Sequence, residues 1–156
     1  MSKVAEHLVE LLKVQGLVCA TAESCTGGGV GSAITAVPGS SAVFAGGVIS
    51  YSNEVKRDVL GVSGLSLRTV GAVSAEVAAQ MADGVRKLLK TDLAVSLTGI
   101  AGPDGGSAEK PVGLVWFGLS AKGGTRTEKV IFSGDRAQVR AQAVTHALGM
   151  LTVAAT

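Results

Sequence analysis

Thr21-Ala22-Glu23-Ser24-Cys25-Thr26-Gly27-Gly28-Gly29 is a polar, glycine-rich turn that follows the apolar run Leu17 to Thr21 and leads into a helix of small residues. Where a buried strand gives way to a helix N-terminus, backbone N–H groups are left unpaired and point outward, so such a turn can hold an anion or a polarised carbonyl oxygen. Ser24, Cys25 and Thr26 put three candidate nucleophiles or hydrogen-bond donors there. The same hydroxyls serve equally well as plain N-caps, and the stretch alone leaves both readings open. Strand, turn and helix in this order nevertheless set an α/β reading for the chain.

Composition agrees with that reading. The 156 residues are 47% apolar but only 3% aromatic, so the core is expected to be built from Ala, Val, Leu and Ile, in one domain spanning residues 1–156. The 22 glycines fall in many short clusters rather than a repeat, which predicts numerous tight turns and close backbone approaches. A net charge of +2, without a basic run, argues against a nucleic-acid partner. Charges throughout Met1 to Lys13 argue against a signal peptide, and no apolar run reaches the roughly 18 residues of a membrane span. A cytoplasmic protein is expected. Cys19 and Cys25 do not suggest a disulfide framework, and His7 and His146 lie far apart without ligand-spaced cysteines, so no metal is expected.

Outward from the turn, Ser2 is the candidate cap of a first helix with Val4, Leu8, Leu11 and Leu12 at helical spacing and Gly16 as its stop. His7 falls on its polar side. Gly28 to Val37 reads as the second helix, ended by Pro38-Gly39. Val43 to Tyr51 reads as a strand in which Gly46-Gly47 marks a bulge or a close approach. Ser52 or Asn53 then caps a short helix running to about Leu60, with Lys56 in its first turn. A charged lysine there opposes the helix dipole, although a solvated surface lysine is equally compatible with the pattern.

Gly61 to Val73 reads as a connection with one helical turn at Leu65 to Val70. Ser74 caps a long helix with Val77, Met81, Val85, Leu88 and Leu89 on one side. Leu93 to Leu97 is a short strand that ends at the glycine-rich loop Thr98 to Gly106, and Val112 to Ser120 is the next strand. Ala121 to Gly124 turns the chain into Thr125 to Phe132, whose polar pattern marks an antiparallel edge strand. Asp135 and Gln138 have capping-box spacing at the start of a last helix with Val139, Ala143, Ala147 and Met150 in its apolar stripe. Arg136 and Arg140 share one face of it, as an exposed pair or as a clamp for phosphate or carboxylate.

These elements predict an α/β fold, a three-layer α/β/α sandwich with a mixed β-sheet covered by helices on both faces. Ligands in such sheets collect at the carboxyl ends of strands. The segments at Ser24, Tyr51 to Lys56 and Thr98 to Gly106 all follow strands, and they converge if those strands run parallel.

Six motifs in order, Thr21 to Gly28, Tyr51-Ser52-Asn53-Glu54-Val55-Lys56, Gly71-Ala72-Val73-Ser74, Thr98 to Gly106, Lys110-Pro111-Val112-Gly113 and Ser133-Gly134-Asp135-Arg136, resemble the CinA C-terminal domain family. The resemblance implies nicotinamide mononucleotide amidohydrolase activity, which releases ammonia and leaves nicotinate mononucleotide, without a cofactor. It also links the chain by name to competence and DNA damage, where a non-catalytic nucleotide-binding module is the alternative. It implies Ser24 as nucleophile, Lys56 as general base and Tyr51 as a proton-relay or positioning hydroxyl. Thr98, Gly99, Ala101 and Gly102 would line the substrate site and Arg136 would bind the ligand, with Arg140 added from helical spacing. The larger CinA proteins carry a separate N-terminal domain, whose activity is not expected of these 156 residues. A homodimer is expected of so small a domain.

The implied chemistry is coherent. An unactivated amide needs help toward water, and a serine nucleophile divides the reaction into acylation and deacylation. Lys56 serves as base only if it loses its proton near neutral pH, through burial, neighbouring positive charge or its helix position. Backbone N–H groups of Cys25, Thr26, Gly27 and Gly28 would form the oxyanion hole. Cys25 is the rival nucleophile, since a thiolate is intrinsically better suited to attack.

Overall fold

The computed structural model describes residues 2–156, with side chains from Lys3 onward; the cap expected of Ser2 lies outside the described side chains. Helix α1 (Ser2–Gln15) buries Ala5, Leu8, Val9 and Leu12, and its polar side leaves His7 in solvent. Strand β1 (Cys19–Glu23) and helix α2 (Gly29–Thr35) flank the Ser24 turn. A 3-10 turn, Ser40–Ala42, precedes β2 (Phe44–Ile49). Short helices α3 (Asn53–Asp58) and α4 (Gly64–Thr69) lead to the longer α5 (Ala75–Leu89). Then follow β3 (Leu93–Gly99), β4 (Leu114–Ala121), β5 (Gly124–Ile131) and α6 (Arg136–Ala155).

The five strands form one sheet in the order β2-β1-β3-β4-β5. β1 pairs in parallel with both β2 and β3, whereas β3–β4 and β4–β5 are antiparallel, so the sheet is mixed and β5 is an edge as expected. Alternation along each strand sends side chains to two separate cores. On one face Cys19, Val95, Leu97 and Phe117 pack against α1, α2 and α6; on the other Ala20, Ala22 and Ala94 pack against Val77, Met81 and Val85 of α5. Small residues let α5 lie close to the sheet. A Cβ at Gly118 would stand 2.4 Å from the Ala78 carbonyl oxygen, so any side chain there would push the helix away.

Boundaries shift from the sequence reading in ways that matter for the site. β1 runs on through Ala22 and Glu23, because the Glu23 carboxylate is satisfied inside the protein and does not have to reach water. β3 likewise takes in Thr98 and Gly99, since the Thr98 hydroxyl donates to the Ala72 carbonyl at 3.0 Å and needs no solvent. The β1–β2 register slips between Cys19 and Ala20, which pair with Phe44 and Gly46; this is the bulge expected near Gly46, whose φ is +150°. Leu88 departs from the buried side of α5 and is 49% exposed. Among the described residues, no helix is long and apolar enough to cross a membrane.

β1 leaves for β2 through α2 on one face, while β2 leaves for β3 through α3, α4 and α5 toward the other. Connections that depart to opposite faces open a crevice at the carboxyl ends of the strands between them. Ser24, the segment after Ile49 and the loop after Gly99 all lie at that edge.

Candidate active site

A cleft of about 340 Å³ occupies this edge. The β1 turn contributes Ser24 and Cys25 to it, the β2–α3 segment Tyr51, Asn53 and Lys56, and the α4–α5 connection Ala72 and Val73. Thr98, Gly99, Ile100, Ala101, Gly102, Asp104 and Gly105 form the wall that follows β3, and Arg136 closes the cleft from the start of α6.

At its base Lys56 is 1% exposed, and its Nζ stands 3.1 Å from Ser24 Oγ. Local structure explains the placement. Ser52 extends as the N-cap of α3, with Oγ accepting from the Val55 N–H, so Lys56 projects inward one turn later. There Nζ also donates to the carbonyl oxygens of Ser50 at 2.7 Å and Tyr51 at 3.0 Å. No carboxylate pairs with it among the described residues. Burial pushes its pKa below the usual lysine value, with Cys25 acting weakly in the opposite sense. Of the routes open to it, burial is the one the structure displays.

The Ser24 turn is held from beneath by Glu23, itself 2% exposed. Its Oε1 accepts from Thr26 Oγ1 at 2.6 Å and from the Val30 N–H at 2.9 Å, and its Oε2 accepts from the Gly31 N–H at 3.0 Å. The carboxylate therefore satisfies the first amides of α2 from inside the protein, as an N-cap side chain does from outside. This role went unread in the sequence because Glu23 stood within what looked like a solvated turn. Ser24 in turn donates its own N–H to the Leu97 carbonyl, joining the turn to β3.

Not every expected site residue faces the cleft. The Thr26 hydroxyl is committed to Glu23, the Gly27 N–H to the Ser24 carbonyl, and Gly28 lies against Ile49 in a separate hollow between α2 and β2. Arg140 is likewise outside the cleft, with its guanidinium on the carbonyls of Cys25 and Thr26. Helical spacing put it beside Arg136, but the two side chains diverge. Arg136 stays at the cleft and donates Nη1 to the Gly102 carbonyl at 2.8 Å. Thr98 lines the cleft with its hydroxyl hydrogen already given to Ala72. Tyr51 also lines it and is 64% exposed; its main-chain oxygen meets Lys56, while its hydroxyl bonds neither Ser24 nor Lys56.

Cys25 is 6% exposed, and burial pushes its thiol up to about 11, so it is protonated at neutral pH. Ala72, Val73, Asp104 and Gly105 are cleft residues to which the sequence gives no role, and Asn53, an alternative to Ser52 as cap, also lines the cleft. The Gly71-Ala72-Val73-Ser74 and Asp104-Gly105 segments were visible as motifs, but only the fold brings them together. Among the described residues, no group of three or more His, Cys, Asp or Glu side chains is arranged to hold a metal ion.

The model of the CinA C-terminal domain matches residues 1–154. This chain belongs to that family. It is 49% identical over 152 residues to the nicotinamide-nucleotide amidohydrolase PncC of Escherichia coli, covering 97% of this chain and 92% of that protein. A CinA-like protein of Acaryochloris marina is 53% identical over 144 residues, 91% of this chain and 34% of its own length. The chain spans about a third of the length of the competence-damage inducible relatives that it matches. Two crystal structures of competence-damage proteins superpose on it with a TM-score of 0.95. One, from Klebsiella pneumoniae, is 35% identical and matches 99% of this chain and 96% of its own; the other, from Agrobacterium tumefaciens, is 43% identical and matches 99% and 94%.

Proposed function

We propose that this CinA-family chain is an amidohydrolase that converts nicotinamide mononucleotide to nicotinate mononucleotide and ammonia, with Ser24 as nucleophile and Lys56 as base. The observation that carries the reading is the buried Lys56 Nζ on Ser24 Oγ. The PncC relative, alike over nearly its whole length, supports the substrate.

The hydrogen bonds of Lys56 account for the base. An ammonium has three N–H donors, and a neutral amine has two and one lone pair. The Ser50 and Tyr51 carbonyls can accept only, so in the neutral form they take both N–H groups. The lone pair is left for the third neighbour, and the Ser24 hydroxyl donates to it. As Ser24 Oγ attacks the carboxamide carbon, its proton passes to Lys56. The resulting ammonium returns a proton to the departing nitrogen as the C–N bond breaks, and ammonia leaves an ester on Ser24. Neutral Lys56 then takes a proton from water, whose oxygen attacks the ester, and returns it to Ser24 Oγ as the acyl C–O bond breaks, so that the acid is released and the Ser24 hydroxyl and neutral Lys56 are restored.

The developing oxyanion needs a donor, and in this reading it is the amide of Cys25, next to Ser24 at the cleft wall. Arg136, on the cleft lining beside Gly102, supplies positive charge for the nucleotide phosphate. Thr98, Gly99, Ala101 and Gly102 shape the wall, and Tyr51 lines the cleft and meets the base through its main-chain oxygen. The partner is a small-molecule nucleotide, and the working form is a homodimer. Incubating purified protein with nicotinamide mononucleotide and measuring ammonia tests the reading: sustained release supports it. Binding without ammonia over hours supports instead a non-catalytic nucleotide-binding module.

A further inference from the structure

We infer that Arg140 is a positioning residue for the nucleophile, gripping the turn after Ser24 so that its hydroxyl is held toward Lys56. The inference rests on the Ser24 assignment above. Arg140 lies in the second turn of α6, exposed to solvent and outside the cleft lining. Its Nε donates to the Cys25 carbonyl at 3.1 Å and its Nη2 to the Thr26 carbonyl at 3.2 Å. A guanidinium is a rigid planar fork, so bonds from two of its nitrogens to consecutive carbonyls fix two peptide planes at once. In a trans peptide the C=O and the following N–H point in opposite directions. Holding the Cys25 and Thr26 carbonyls therefore also sets the directions of the Thr26 and Gly27 amides.

The grip reaches the nucleophile in one further step. The Gly27 N–H, oriented in this way, donates to the carbonyl of Ser24 itself at 3.1 Å. Thr26 is consequently held at both ends, by its hydroxyl on Glu23 and by its carbonyl on Arg140. A Ser24 Oγ that drifts by an ångström leaves hydrogen-bond range of Lys56, and misplacement on that scale is costly in rate. An anion-binding arginine would act on substrate affinity; one that holds the turn acts on turnover and on the intrinsic reactivity of Ser24.

The test compares wild type, Arg140→Ala and Arg140→Lys in two assays. One is kcat and KM for nicotinamide mononucleotide, and the other is the rate at which a fluorophosphonate labels Ser24, which does not depend on the natural substrate. Arg140→Ala is expected to lower kcat and the labelling rate together by about 10- to 100-fold, with KM changed less than about threefold. Arg140→Lys, able to reach one carbonyl, should fall between, and added guanidinium ion should restore part of the loss in Arg140→Ala. Unchanged turnover and labelling overturn the proposal. So does a rise in KM alone, which makes Arg140 a ligand for the substrate, or a loss accounted for by unfolding in circular dichroism. Wild-type protein that labels at Ser24 but leaves nicotinamide mononucleotide intact overturns only the substrate; wild type unlabelled at Ser24 overturns the Ser24 assignment and this inference with it.

Discussion

Lys56 Nζ lies 3.1 Å from Ser24 Oγ, although 32 residues separate them in sequence. Parallel pairing of β1 with β2 makes the meeting, because it delivers the Ser24 turn and the start of α3 to the same edge of the sheet. In the proposed mechanism Lys56→Ala removes the base, so ammonia release should drop by about 10³-fold or more. Circular dichroism should show a folded variant. Near-normal release from it would remove lysine from the mechanism.

Turnover should depend on pH through the same side chain. Burial lowers the Lys56 pKa, and in the proposed mechanism the neutral amine is the active form, so kcat/KM should climb as pH rises through that lowered value. Stability should follow the same sign. The unfolded chain keeps a lysine pKa of about 10.4, so between the folded and unfolded values it binds more protons than the native state, and stability rises with pH. Urea titrations of wild type and Lys56→Met isolate this contribution. Their difference should shift in favour of wild type up to a pH of about 10.4 and level off above it; a difference independent of pH would contradict the account.

Glu23 should be a stability determinant. Removing a buried carboxylate that accepts three hydrogen bonds leaves the Val30 and Gly31 amides without their acceptor. Glu23→Ala is expected to cost on the order of 3 kcal/mol, read as a lower urea midpoint, and Glu23→Gln less. An unchanged midpoint would mean that the turn and α2 are held by other contacts.

Much of the layout could be read from the chain: helical spacing in α1 and α6, the Ser74 cap, the Asp135–Gln138 capping box, and turns after three strands. What could not be read depends on contacts between distant segments. Glu23 and Thr98 look like loop residues by polarity, yet both are buried in strands; partners on α2 and in the α4–α5 connection satisfy them. Lys56 looks like a surface lysine until the Ser50 and Tyr51 carbonyls are seen to receive it. Arg136 and Arg140 are one helical turn apart on the same face, but the elements opposite them differ, and so do their partners. Local periodicity specifies which residues are inward, whereas the polar partner of a buried side chain is a property of the assembled sheet.

Arg136 should separate binding from chemistry. In the proposed complex its charge meets the nucleotide in the ground state and transition state alike. Arg136→Ala should therefore raise KM by about tenfold with kcat largely kept. A fall in kcat at unchanged KM would show that the arginine acts on the reaction and not on the nucleotide.

Nucleophile identity is the central claim, and ammonia release from paired variants tests it. The Cys25 thiol is pushed up to about 11 and packs in the core, whereas Ser24 meets the buried amine. Ser24→Ala should lose about 10³-fold or more in kcat, while Cys25→Ala keeps most of its activity. An active Ser24→Ala protein alongside an inactive but folded Cys25→Ala protein would contradict the account and transfer the attack to the thiol.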